Sequence, residues 1–260
     1  MKTTGFFGLF DILGYSKLNE INDLDTLIDI FNRNIITIDQ FSFSEVKTIL
    51  FSDTIILYEE KSAIEKINQG YIDPYQFMFK ACTLLRLAFE GGVPLRGAVS
   101  YGEYYIHDRA FLGKPVIEAH NFESDQNWSG AALCKSAEKE YLMRLQRQSQ
   151  KMPLIKSDAI NPIIPYNFVS TNCLYKYPIP CKKSNVESFA LCWDDSLLFM
   201  FGLKKQLPSI DRLNFDNKSK VYKIIREKFK AHDKPLGKTV APMIKNTAEF
   251  IINTKDRLNG

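Results

Sequence analysis

Phe7-Gly8-Leu9-Phe10-Asp11-Ile12-Leu13-Gly14-Tyr15-Ser16 is an apolar run with a single carboxylate near its end. It reads as a buried strand that delivers Asp11 to a turn, where Gly14 lets backbone amides approach a ligand closely. A second run, Ile49-Leu50-Phe51-Ser52-Asp53-Thr54-Ile55-Ile56-Leu57, repeats the pattern, with Asp53 at a polar break between two β-rich halves, as in a hairpin. An isolated anion in apolar surroundings is costly unless a cation sits against it. Either aspartate alone fits a strand-end turn cap. As a pair they point to a shared metal, and if the fold joins them their oxygens suit Mg²⁺ or Mn²⁺. Bare carboxylates about 4 Å apart repel by roughly 4 kcal/mol at an effective dielectric near 20, and a divalent cation reverses that sign.

Outward from these runs the first half alternates: a strand near 5–12, a helix near 18–42, a hairpin near 46–58, a helix near 73–91 and a strand near 95–105. The order βαββαβ predicts an α+β, ferredoxin-like core, an antiparallel-rich sheet with helices packed on one face. Leu24, Leu27, Ile28, Phe31 and Ile35 recur near the helical period, and Asp23 or Asp25 offers a start signal. Phe77, Ala81, Leu84 and Leu85 mark the second helix, which stops at Gly91-Gly92. Pro94-Leu95-Arg96-Gly97-Ala98-Val99 reads as a strand, and Gly113-Lys114-Pro115 opens a further helix. Residues 1–150 form the expected catalytic core. Residues 151–260 complete the same domain: an irregular proline-broken segment, a strand near Ser188 to Trp193, and helices around 208–232 and 237–257.

With 260 residues and 45% apolar content the chain can bury a substantial core. Its five cysteines, Cys82, Cys134, Cys173, Cys181 and Cys192, never stand in a CxxC pair, so neither a disulfide framework nor a zinc site is signalled. No leader-like segment follows Met1-Lys2 and no run reaches membrane-span length, so a soluble cytoplasmic protein is expected. The +4 formal charge, concentrated around Lys204, Lys205, Lys218, Lys220 and Lys223, reads as a solvated face without a nucleic-acid motif. His107, His120 and His232 show no metal spacing and read as surface or structural residues.

Phe10-Asp11-Ile12-Leu13-Gly14-Tyr15, Phe51-Ser52-Asp53-Thr54 and Leu95-Arg96-Gly97 through Gly113-Lys114-Pro115-Val116 resemble, in this order, the motifs of class III nucleotidyl cyclase catalytic domains. The match spans about residues 5–135. The resemblance implies that Asp11 and Asp53, with the carbonyl of Ile12, hold two divalent ions, Mg²⁺ or Mn²⁺. The amides of Leu13, Gly14, Tyr15 and Ser16 would receive a triphosphate. It further implies attack of a ribose 3′-hydroxyl on the α-phosphorus, with pyrophosphate leaving, in a homodimer whose sites are built from both chains.

The departures narrow the substrate. Where adenylate cyclases read the purine with a lysine and an aspartate, this chain has Ile49 and Ala110, so adenine is not the expected base. The family's transition-state Asn and Arg fall on Ile117 and Asn121, which removes the cation from that helix. Ser52, Pro94-Leu95-Arg96-Gly97, Glu123 and Trp128-Ser129-Gly130 make the chain most similar to the pyrimidine cyclases of bacterial Pycsar antiphage systems. UTP, or alternatively CTP, is then the implied substrate, and cyclic UMP or cyclic CMP the product that acts on a separate effector. Arg96 either donates to the pyrimidine edge or pairs with a nearby carboxylate. Ile49 either packs against the base or is an ordinary core residue. Arg109, Lys114 and Asn121 are candidates for contact with phosphate or transition state. A cyclase-shaped module that binds a nucleotide or protein without chemistry is the alternative.

Overall fold

The computed structural model describes residues 2–34, 46–60, 74–108, 110–151, 173–193, 218–229 and 240–259. β1 (Lys2–Ile12) leads into two short helices, α1 (Tyr15–Ile21) and α2 (Leu24–Asn34). A hairpin, β2 (Val46–Phe51) and β3 (Thr54–Glu59), is followed by α3 (Pro74–Glu90) and β4 (Leu95–His107). Then come β5 (Ala110–Leu112), α4 (Lys114–Asp125), β6 (Gly130–Leu133) and α5 (Lys135–Lys151). β7 (Leu174–Ile179), β8 (Val186–Leu191), α6 (Lys218–Lys228) and α7 (Val240–Asn259) complete the described elements.

The strands form one sheet in the order β2-β3-β1-β4-β6-β8-β7, with β5 paired to β4. Its first four members have the ferredoxin-like arrangement, and every named pairing is antiparallel except β4 with β6. The α+β class with an antiparallel-rich sheet is therefore the observed one.

Two expectations need correction. The single helix near 18–42 is two helices, and its stretch from 35 to 42 lies outside the described residues. The break is local: Asn22 Nδ2 donates to the Leu18 carbonyl at 2.9 Å, ending α1, and Asp23 Oδ1 accepts the Thr26 amide at 2.8 Å, starting α2. Helices also cover both faces of the sheet. Phe6 and Phe10 pack with α3 residues such as Phe77 and Leu84, whereas Phe7 and Leu9 join Ala119 of α4. A strand with apolar residues on both sides of its pleat needs cover on both, and β1 is buried continuously from Gly5 to Phe10.

β5, β6, α5 and β7 carry no mark in the sequence pattern; β8 is the strand expected near residue 188, α6 falls inside the expected 208–232 helix, and α7 runs two residues past the expected 237–257 helix. The tail meets the core at Trp128, whose ring lies 4.7 Å from Phe250 of α7 in a T-shaped contact, and at Ser129, whose amide donates to Thr247 Oγ1 at 2.9 Å. All five cysteines are free. Among the described residues, no helix is long and apolar enough to cross a membrane.

Gly97 shows how tightly β4 crosses β1. A Cβ there would collide with the Phe10 ring and lie 3.0 Å from the Leu9 carbonyl. Gly97→Ala is expected to cost about 2–3 kcal/mol by overpacking, read as a lowered urea midpoint at unchanged slope.

Candidate active site

The pleat of β1 aims Phe7, Leu9 and Asp11 toward α4. Asp11 is the last polar side chain of the strand, with Thr54 of β3 and Arg96 of β4 directly opposite it. Asp53 precedes Thr54 in the β2–β3 turn, and its carbonyl accepts the Ile12 amide at 2.8 Å. The two aspartates found by sequence therefore share one corner of the sheet. Ser52 beside Asp53 holds a left-handed backbone, φ 57°. Ser52→Gly is expected to relieve about 1 kcal/mol of that strain, visible as a higher melting temperature with the turn retained.

Charge accumulates at this corner. Burial, then the neighbouring Glu123 and Asp53 carboxylates, push the Asp11 carboxyl up to about 6, while Arg96 and His120 draw it down. An acid held that far above its ordinary range lacks a sufficient cationic partner. Among the described residues no cluster of three Asp, Glu, His or Cys forms a ready metal cage. Two carboxylates plus water and phosphate oxygens are, however, the donor set Mg²⁺ prefers, so the residues present fit a hard divalent ion.

Arg96 is only 12% exposed. Its Nε donates to Glu123 Oε1 at 2.6 Å, one terminal nitrogen donates to the Gln126 carbonyl at 3.3 Å, and the other lies 4.0 Å from Asp11 Oδ2. Of the two roles considered for Arg96, pairing with a nearby carboxylate is the one this geometry shows. Gln126 is fixed in turn by donating to the Gly97 carbonyl and accepting from Trp128 Nε1.

The turn after β1 has Gly14 at φ 70°, a conformation glycine adopts at little cost, and α1 starts at Tyr15. The Leu13 amide donates to the Pro94 carbonyl at 3.0 Å. The Leu13 amide, expected to receive a triphosphate, is thus engaged in holding the turn.

Ile49 is half-buried and pairs with Ile56 on the same sheet face as Asp11. Lys114 and Asn121 are exposed on α4. Nine residues separate Lys114 from Glu123, about 13 Å along the axis, so the geometry does not bring Lys114 to its own chain's Asp11. Ile117 is 62% exposed. Arg109 lies outside the described residues.

Sequence reading missed Glu123 as a functional group and set His120 aside. Both stand on α4, three residues apart and thus on one helical face, a spacing that becomes a signal only once that face is known to meet Asp11.

No family model and no curated protein matches this chain. Among solved structures it is similar to a bacterial light-regulated adenylyl cyclase, 14% identical with TM-score 0.39 over 80% of this chain and 99% of that one. It is similar to the catalytic core of a rhodopsin-guanylyl cyclase with converted specificity in complex with ATPαS, 12% identical with TM-score 0.42 over 74% and 96%. An adenylate/guanylate cyclase/hydrolase from Silicibacter pomeroyi is 11% identical, with TM-score 0.40 over 74% and 97%.

Proposed function

We propose that this chain is a nucleotide cyclase that converts UTP to 3′,5′-cyclic UMP and pyrophosphate. The observation that carries the reading is the meeting of Asp11 and Asp53 at one corner, with Asp11 pushed up to about 6 by burial and by acidic neighbours. The two carboxylates and the Ile12 carbonyl are the groups that hold divalent ions there. Bound Mg²⁺ or Mn²⁺ supplies Lewis acidity that lowers the pKa of the ribose 3′-hydroxyl and offsets polyphosphate charge.

The chain's own residues orient the substrate. Amides of Gly14, Tyr15 and Ser16 receive the triphosphate, so that the 3′-oxygen stands in line with the bond from the α-phosphorus to the departing pyrophosphate. One P–O bond forms as the other breaks. Arg96, bound by Glu123 and held 4.0 Å from Asp11, borders the proposed ion site. Ile49 offers a base no hydrogen bond, which supports a substrate other than ATP. The choice of UTP over CTP, and of a product read by a separate effector in antiphage defence, rests on the resemblance to pyrimidine cyclases.

A second copy completes the site in this reading. Phe51 and Ile117, each 62% exposed, present apolar surface beside the acid corner. Arg109, Lys114 or Asn121 then acts on phosphate from the partner subunit. The exposed Ile117, where the family carries a polar residue, favours a second reading, a nucleotide-binding module without chemistry. Incubation with each of the four ribonucleoside triphosphates and Mn²⁺, followed by mass analysis, decides. Cyclic UMP from UTP is expected; a folded dimer that yields no cyclic nucleotide overturns the enzyme reading, and cyclic AMP or cyclic GMP overturns the pyrimidine assignment.

A further inference from the structure

Arg96 places a permanent positive charge next to the carboxylate that is proposed to hold metal. Its Nε is bound by Glu123 at 2.6 Å, and its free edge stops 4.0 Å from Asp11 Oδ2. That gap exceeds a charge-assisted hydrogen bond of about 2.7–2.9 Å. A displacement of roughly 1 Å therefore converts a loose contact into a pair that competes with any cation for Asp11. Glu123 is only 3% exposed, and its position is set by α4, which packs along β4 and β1.

A guanidinium this enclosed requires a counter-charge, because a buried charge left unpaired is strongly destabilising. Two carboxylates border it, Glu123 and Asp11. The carbonyl of Gln126, a neutral acceptor at 3.3 Å, orients the guanidinium without neutralising it. Whichever acid does not bind Arg96 is the one available to a metal.

We infer that Glu123 is a positioning residue that holds Arg96 off Asp11 and so keeps the Asp11–Asp53 pair open to divalent ions. The inference rests on the reading of these two aspartates as metal ligands. Loss of the Glu123 charge transfers Arg96 to Asp11, and the ion is displaced by the chain's own side chain. The larger part of the effect of Glu123 on the ion runs through Arg96, while its direct charge at Asp11 acts in either background.

A double-mutant cycle on Mn²⁺ affinity, measured by electron paramagnetic resonance with the metal alone, tests this. Glu123→Gln is expected to weaken Mn²⁺ binding at least tenfold. The same substitution in an Arg96→Gln background should cost at least threefold less, and Glu123→Asp should restore most of the affinity. Equal loss in both backgrounds overturns the inference, since Glu123 then acts on the ion by its own charge; no loss in the native background overturns it as well. Should Glu123→Gln fail to fold, Arg96→Gln alone is expected to tighten Mn²⁺ at least twofold, and unchanged affinity counts against the inference. Wild-type protein whose Mn²⁺ binding is absent, or insensitive to Asp11→Asn, sinks the metal assignment itself, a result distinct from a failed cycle.

Discussion

Asp11→Asn is expected to lower cyclic-nucleotide formation by at least about 10³-fold while raising the stability of the metal-free protein. Loss of activity follows from removal of one of the two carboxylate ligands, since an amide neither carries charge nor neutralises the ion. The gain in stability follows from the strain the native acid bears: burial first, then Glu123 and Asp53, push it from 3.8 to about 6. Holding the charged form against that rise costs about 3 kcal/mol for a fully enclosed acid, and partial solvent access reduces this to about 2 kcal/mol. Ion binding offsets a penalty of that size, because a ligand at 100 times its Kd contributes about 2.7 kcal/mol.

The sign of the pH dependence has the same origin. The native state holds a proton on Asp11 between about 4 and about 6, where the unfolded chain has released it, so this group's contribution to stability grows as pH falls through that window. Wild type carries the full penalty above pH 6. Asp11→Asn should therefore melt higher than wild type at pH 7.5 in chelator, and the two curves should converge near pH 4. A variant that melts lower at pH 7.5 would mean that the carboxylate is stabilising in the apo protein, and the metal argument loses its physical basis. Asp53→Asn shares the expected activity loss, read by the same mass assay.

Trp128→Ala is expected to cost 3–5 kcal/mol, the range for truncating a fully buried aromatic and a large share of the ~5–15 kcal/mol that holds a domain together. The ring packs edge-on against Phe250 at 4.7 Å, stacks with Tyr177 at 6.0 Å, and donates to Gln126 Oε1 at 2.7 Å. Its loss loosens the same loop that offers the Gln126 carbonyl to Arg96, so Mn²⁺ affinity should fall along with stability. We further expect β7, β8, α6 and α7 to unfold with the core, since Tyr177 of β7 and Phe250 of α7 enclose a core tryptophan. Far-UV circular dichroism and the combined fluorescence of Trp128 and Trp193 should then report one urea midpoint in wild type. Separate midpoints would split the chain into two units, and a cost below 1 kcal/mol would remove Trp128 as their joint.

Asp11 and Asp53 were legible because a carboxylate in an apolar run violates the pattern around it, and such violations mark function more often than packing does. The β-α-β-β-α-β order was legible for a related reason: its strands and helices are long enough to show their periods. β6 was not, since Gly130-Ala131-Ala132-Leu133 is four residues of small side chains with no alternation to read. The break at Asn22-Asp23 was missed because the apolar recurrence continues across it; the capping hydrogen bonds that create it depend on single side chains.

The residues of this chain, taken in order, determined which groups stood out chemically: two acids in apolar runs and one arginine on a crowded strand. Only the folded sheet decided that Asp11 faces Arg96, that the Leu13 amide is engaged by the Pro94 carbonyl, and that Glu123 and His120 reach the same corner from α4. Chemical type is a property of each side chain alone. Partnership is set by strand register and helix docking, which bring residues 27 positions apart to 2.6 Å and are paid for by burial of the whole core.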